Sequence, residues 1–139
     1  MEALGVAANV IAVVDISVKV LQVCSEYAKE AKNAKVEIQE LRQEVENLRD
    51  TAQKVQQLFQ SPQGTRLRAS QDLLNKIKES LSILSDVNGK LQPPSKHSLW
   101  RRGFRSLKWP FQSGEVHRIV GRLSRSSISI SHILQVEQT

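Results

Sequence analysis

One cysteine, Cys24, and three histidines, His97, His117 and His132, are the side chains best suited to nucleophilic or metal chemistry in this 139-residue chain. Their spacing does not support either. Zinc ligation needs His or Cys residues at short, defined separations, and no two of these four stand at such a spacing. No H-E-x-x-H, paired CxxC or glycine-rich phosphate loop occurs, and SPQGTRLR lacks both the glycine spacing and the Gly-Lys-Ser/Thr ending of a Walker motif. His117 beside Arg118 has no partner from which to build a catalytic set and reads as a solvated pair. The sequence therefore predicts a non-enzyme with no metal and no cofactor.

The stretch with most chemical content is KHSLWRRGFRSLKWPF, in which aromatic and aliphatic residues alternate with cations. Charge is concentrated around it. The whole chain carries +6, yet residues 1–89 hold 11 basic and 12 acidic side chains, whereas residues 90–125 hold nine basic ones and only Glu115. Such a block suits anionic lipid, because Trp and Phe seat at the headgroup level and each nearby cation adds about 1 kcal/mol. It also suits nucleic acid, through phosphate contacts and base stacking. The third reading is a solvated loop pinned by its own rings. Trp100, Arg101, Arg102, Arg105 and Lys108 are the expected anionic-lipid contacts, and Trp109, Pro110 and Phe111 the expected plug at one end of the fold. The acidic second helix and the lack of a recognisable motif make nucleic acid the weakest case.

Four segments must position these residues. A helix is predicted over about 4–31, apolar on nearly all sides to Val14 and amphipathic beyond. The second, over about 35–60, has Ile38, Leu41, Val45, Leu48, Ala52, Val55 and Phe59 at alternating steps of three and four, a heptad seam. Ser61-Pro62-Gln63-Gly64 stops it. The third, over about 67–91, carries Leu74, Ile77, Leu81, Leu84, Asn88 and Leu91, and Pro93-Pro94 cannot continue it. After a loop over 92–112, the fourth covers about 113–134, with Ser113 as a candidate N-cap and Val116, Ile119, Val120, Leu123, Ile130, Ile133 and Leu134 as its apolar positions. Its serine-rich SRSSISISH is a weak helix former. The fold class expected is all-α: one domain over 1–139, an antiparallel four-helix bundle with a long basic, aromatic-containing loop before the last helix.

The opening MEALGVAANVIAVVDISVKV raises its own question. A secretory signal requires a basic n-region, and no basic residue precedes Lys19. Ala3 to Ser25 is 23 residues, long enough for a hydrocarbon core of about 30 Å. Asp15 and Lys19 interrupt it, however, and each costs roughly 2.5–3.5 kcal/mol at mid-membrane. They stand four apart with the acid first, the favourable order for a helical pair. The segment reads as a helix sheltered in the bundle, and the lone Cys24 requires no oxidising compartment.

Three stretches carry a family resemblance: the opening just quoted, KNAKVEIQELRQEVENLRD, and SLKWPFQSGEVHRIVGRLSR with Trp109-Pro110-Phe111 followed by Glu115-Val116, Ile119 and Leu123. Together they resemble the HeLo-like domain, the N-terminal domain of fungal STAND (NLR-like) receptors and related cell-death effectors. SRSSISISH departs from the family pattern, which more often has charged, leucine-rich turns there. The resemblance implies a cytoplasmic effector that forms a homo-oligomer on activation, moves to the plasma membrane and permeabilises it, as in fungal incompatibility and innate immunity. It also implies a C-terminal NACHT or signalling module in a full-length protein; neither is found in these residues, so the chain reads as an isolated effector domain. On that basis Leu4, Val6, Val10, Ile11, Val13, Val14 and Val18 are the expected membrane-insertion residues. Gly5, Ala8 and Ala12 are the small residues for close helix contact, and Asp15 with Lys19 the in-helix charge pair. The alternative is a non-lytic interaction or oligomerisation adaptor domain of a STAND receptor.

Overall fold

The computed structural model describes residues 2–30, 34–62, 64, 67, 70–92 and 109–138, and among these the chain is all-helical, with no strand. Four long helices lie among the described residues: α1 (Glu2–Glu30), α2 (Lys35–Leu58), α3 (Gln71–Leu91) and α4 (Ser113–Gln138). Side chains of residues 2–4, 30, 137 and 138 are outside the described set, as are all of 93–108.

The α2 seam is the simplest to account for. All seven residues, from Ile38 to Phe59, are buried, while Lys35, Gln39, Gln43, Asn47 and Lys54 face outward. The helix ends at Leu58, two residues before the expected limit. The chain then turns so tightly that a Cβ on Gly64 would lie 2.2 Å from the Phe59 carbonyl oxygen, so only glycine fits there. α3 starts at Gln71 rather than near Leu67, because the Ser70 hydroxyl accepts a 3.1 Å bond from the Leu73 N–H and caps it. It ends where Gln92 turns extended, directly before the two prolines.

The main pairings are α1 with α2, α1 with α3, α2 with α4 and α3 with α4. Each helix thus occupies a corner, touching two neighbours and leaving an outer face to solvent. α2 and α4 run side by side in register. Glu37 meets Ser113 and Glu40 lies 3.8 Å from His117 at one end, and Leu58 shares a cleft with Leu134 at the other.

α3 needs two apolar lines because it lies between α1 and α4. Leu73, Leu74, Ile77, Ile83, Leu84, Val87 and Leu91 are all buried, with Ser80 among them, whereas Leu81 and Asn88 are only half-buried. The serine-rich end of α4 is helical throughout, extending to Gln138 instead of fading near 134. Val116, Leu123 and Ile130 repeat every seven residues along its core face, and Ser126 and Ser127 fall between the last two, at buried positions. Packing overrides their low propensity, since helical order in a bundle comes chiefly from the buried face. Ser17 on α1 and Ser80 on α3 are buried too, and bond back to their own helices, at 2.7 Å to the Val13 carbonyl and 2.9 Å to that of Lys76. Ser127 Oγ is buried with no hydrogen-bond partner among the described residues.

Ser113 is not the cap of α4. It is the first helical residue, and its hydroxyl donates to Glu37 across the α2–α4 seam. The Glu115 carboxylate reaches back to the Gln112 N–H at 3.3 Å, the return half of a capping box.

Candidate membrane-contact helix and the ring cluster at its end

α1 is not sheltered on all sides. Val6, Val10 and Val13 are fully buried, and Val20, Leu21, Cys24 and Tyr27 continue that line. Val14 is half-buried, whereas Ile11 is 52% and Val18 39% exposed. The cause is the corner position: α2 and α3 take the valine line and leave the opposite face of α1 to solvent. Leu4 belongs to the first turn of α1, and its side chain is outside the described set.

Ala8 is exposed, while Gly5 and Ala12 are half-buried. A Cβ added to Gly5 would meet nothing within 4 Å, so no neighbouring helix uses this small-residue line for close approach. Asp15 and Lys19 are exposed and form no ion pair with each other or with another described residue. Gly5–Lys29 has 25 residues and includes an 18-residue window of mean hydropathy 1.8, long and apolar enough to cross a bilayer, with 28% of that window buried. Length and composition of this kind are shared by core helices of soluble proteins.

The last turn of α1 enters a cluster of rings. Trp109 is half-buried, edge-on to Tyr27 at 5.3 Å and 80°, and 5.1 Å from Phe111. Its indole N–H donates to Glu37 at 3.1 Å. The Tyr27 hydroxyl donates to the Leu91 carbonyl at 2.9 Å, satisfying a C-terminal oxygen of α3 that has no helical partner. Phe111 is buried beneath Lys90, whose ammonium lies 5.1 Å from the ring centre and also pairs with Glu115. Pro110 is half-buried between the two rings in sequence. The cluster therefore ties the ends of α1 and α3 to the starts of α2 and α4.

Electrostatics at this end follow from burial and pairing. Burial pushes the Cys24 thiol up to about 12, against a small opposing pull from Arg42. Burial also raises Tyr27, with Cys24 adding to it. The hydrogen bond from Lys90 holds Glu115 below the usual carboxylate range, the Gln112 N–H and nearby Arg118 acting in the same direction. A thiol so protonated is no nucleophile at neutral pH.

Trp100, Arg101, Arg102, Arg105 and Lys108 lie outside the described residues. The described part of the basic block is Lys90 with Arg118, Arg122 and Arg125 on α4. Lys90, Arg118 and Arg122 edge a groove of about 280 Å³ between α3 and α4, floored by Ile83, Val87 and Phe111. Those floor residues are already almost fully buried, so the groove offers little apolar surface to a ligand. Among the described residues no three His, Cys, Asp or Glu side chains gather to hold a metal ion.

Tyr27 and Glu37 were not singled out by sequence reasoning. Tyr27 continues the Val20, Cys24 spacing into the charged EYAKEAKNAKVE, a helical signal hidden by its neighbours. Glu37 reads as one more solvated acid on α2 and gives no signal of its own. Compared with known proteins, the chain matches no family model, no curated protein and no solved structure.

Proposed function

We propose that this chain is a HeLo-like, membrane-targeting effector domain that oligomerises and permeabilises anionic membranes, with α1 as the inserting helix. The bundle would be antiparallel, successive helices alternating in direction, a topology supported by the ends of α1 and α3 meeting the starts of α2 and α4 at the ring cluster. The observation that carries the reading is the state of α1. It is long and apolar enough to span a bilayer, yet its outer face exposes Ile11 and Val18 while its valine line is packed against α2 and α3. The cations of residues 96–108 would then contact anionic headgroups, and the chain would pass from the cytoplasm to the plasma membrane on activation. In a longer protein, a NACHT or signalling module would supply the trigger.

Dye leakage from anionic liposomes tests this. Val10 is fully buried, so a charge there would unfold the bundle whatever α1 does. Ile11→Glu is the informative change, because position 11 faces solvent in the folded chain. The variant should keep its helical content and thermal stability while losing leakage. Wild-type leakage from Ile11→Glu would show that α1 is not the membrane element. The adaptor reading draws on Ile128 and Val136, exposed on α4 at 66% and 57%. Absence of cosedimentation with anionic liposomes would favour it.

A further inference from the structure

The outer face of α1 combines exposed apolar side chains with unpaired charges of both signs. At roughly 100° per residue, Ala8, Ile11, Ala12, Asp15, Val18 and Lys19 share an arc of about a third of the helix, opposite the Val6–Val10–Val13 line. Ile11 and Val18 lie along one edge of the arc, Asp15 at its centre and Lys19 between the centre and the other edge. Neither charge has an ion partner among the described residues, and neither of the neighbours of α1 covers this face.

We propose that this face docks a second copy of the chain, the two α1 helices lying antiparallel across a two-fold axis near residue 17. A two-fold interface brings the same patch of both subunits together, so the patch must complement itself. An acid and a base at equal distances on either side of the axis satisfy that condition. Turning one copy end for end sets Asp15 of each against Lys19 of the other and forms two ion pairs. The same rotation keeps the apolar edges on one side, so that Val18 meets Val18 of the second copy beside the axis. A parallel pair would instead oppose acid to acid and base to base. One helix face covers less than the about 800 Å² per partner of a standard interface, so the pair is weak and loosens as salt screens its charges. It concerns the chain in solution and does not depend on the membrane reading.

The test is the molecular mass of the full chain by sedimentation equilibrium, without lipid, across a concentration series at low and high salt. Wild type should show reversible monomer–dimer association, weakened by salt. Asp15→Lys and Lys19→Asp should each lower the association constant about tenfold or more when measured alone, because each sets like charges opposite one another. An equimolar mixture of the two variants should restore association, since the copy with two bases then faces the copy with two acids. A change in helix stability cannot produce that rescue. Val18→Ser, which leaves the charges intact, should weaken the pair as well. A wild-type chain that stays monomeric throughout overturns the proposal, as does association undiminished by the single reversals, or a mixture no more associated than its components.

Discussion

Removing the Trp109 ring should loosen one whole end of the bundle. The side chain is half-buried, makes two ring contacts at 5.3 and 5.1 Å, and donates one hydrogen bond to a carboxylate at 3.1 Å. Truncating a fully buried Trp to Ala costs about 3–5 kcal/mol, and each edge or tilted ring pair contributes about 0.5–1.5 kcal/mol beyond its area. Half-burial places Trp109→Ala near 3 kcal/mol, which for a chain of this size lowers the melting temperature by about 10 °C. Trp109→Phe keeps a ring and loses the N–H donor. Since Glu37 is itself partly solvated, that change should cost about 1 kcal/mol. Urea unfolding followed by far-UV circular dichroism reads both, as the helical signal does not depend on the indole being changed. A double-mutant cycle with Glu37→Ala should return a coupling of about 0.5–1 kcal/mol. If Trp109→Ala costs less than about 1 kcal/mol, the ring cluster does not hold the helix ends together and the reasoning is refuted.

Other outcomes follow from the same geometry. The folded chain keeps the Cys24 proton to about 12 whereas the unfolded thiol loses it near 9.0, so stability falls as pH rises through that interval, by up to about 4 kcal/mol at its upper limit; Cys24→Ala should flatten this alkaline slope in thermal melts. The same thiol should resist an aromatic disulfide reagent in the native state and react at once in urea. Ser127→Ala removes a buried hydroxyl that has no partner among the described residues and should stabilise the fold by about 1 kcal/mol in urea titrations. Because Glu115 is held below its usual range by Lys90, the stability it contributes is present above pH 4.5 and lost as pH falls below it. Lys90→Ala should therefore diminish that acid-limb loss of stability.

How much could be read from the residues differs helix by helix. The α2 seam was legible because a helix with one continuous core face repeats its apolar residues at three and four. α3 was half legible: a helix wedged between two others needs two lines, and Ser80 in one of them carries no hydrophobic signal. The end of α4 failed for the same reason, as Ser126 and Ser127 occupy places where bulk would mark a core position. α1 gave too strong a signal. Apolar on nearly every side, it implies burial without indicating which side, and only its corner position decides that Ile11 stays in water. In the ring cluster, the Trp-Pro-Phe triplet stands out in the sequence. Its partners do not, since Tyr27 bonds a carbonyl 64 residues away and Trp109 a carboxylate 72 away, separations that no local period encodes.

The bond from Tyr27 to Leu91 also sets the mechanics of α1. It fastens the helix near its last turn, while a Cβ on Gly5, at the far end, would meet nothing within 4 Å. Any outward swing that preserves this bond must pivot about Tyr27, with the rest of α1 as a rigid arm. From Tyr27 back to Gly5 that arm measures about 33 Å at 1.5 Å per residue, matching the roughly 30 Å of a bilayer's hydrocarbon interior. Lys90 stands next to the Leu91 carbonyl that anchors the hinge, so the lever's fulcrum and that cation would move towards a surface as one body.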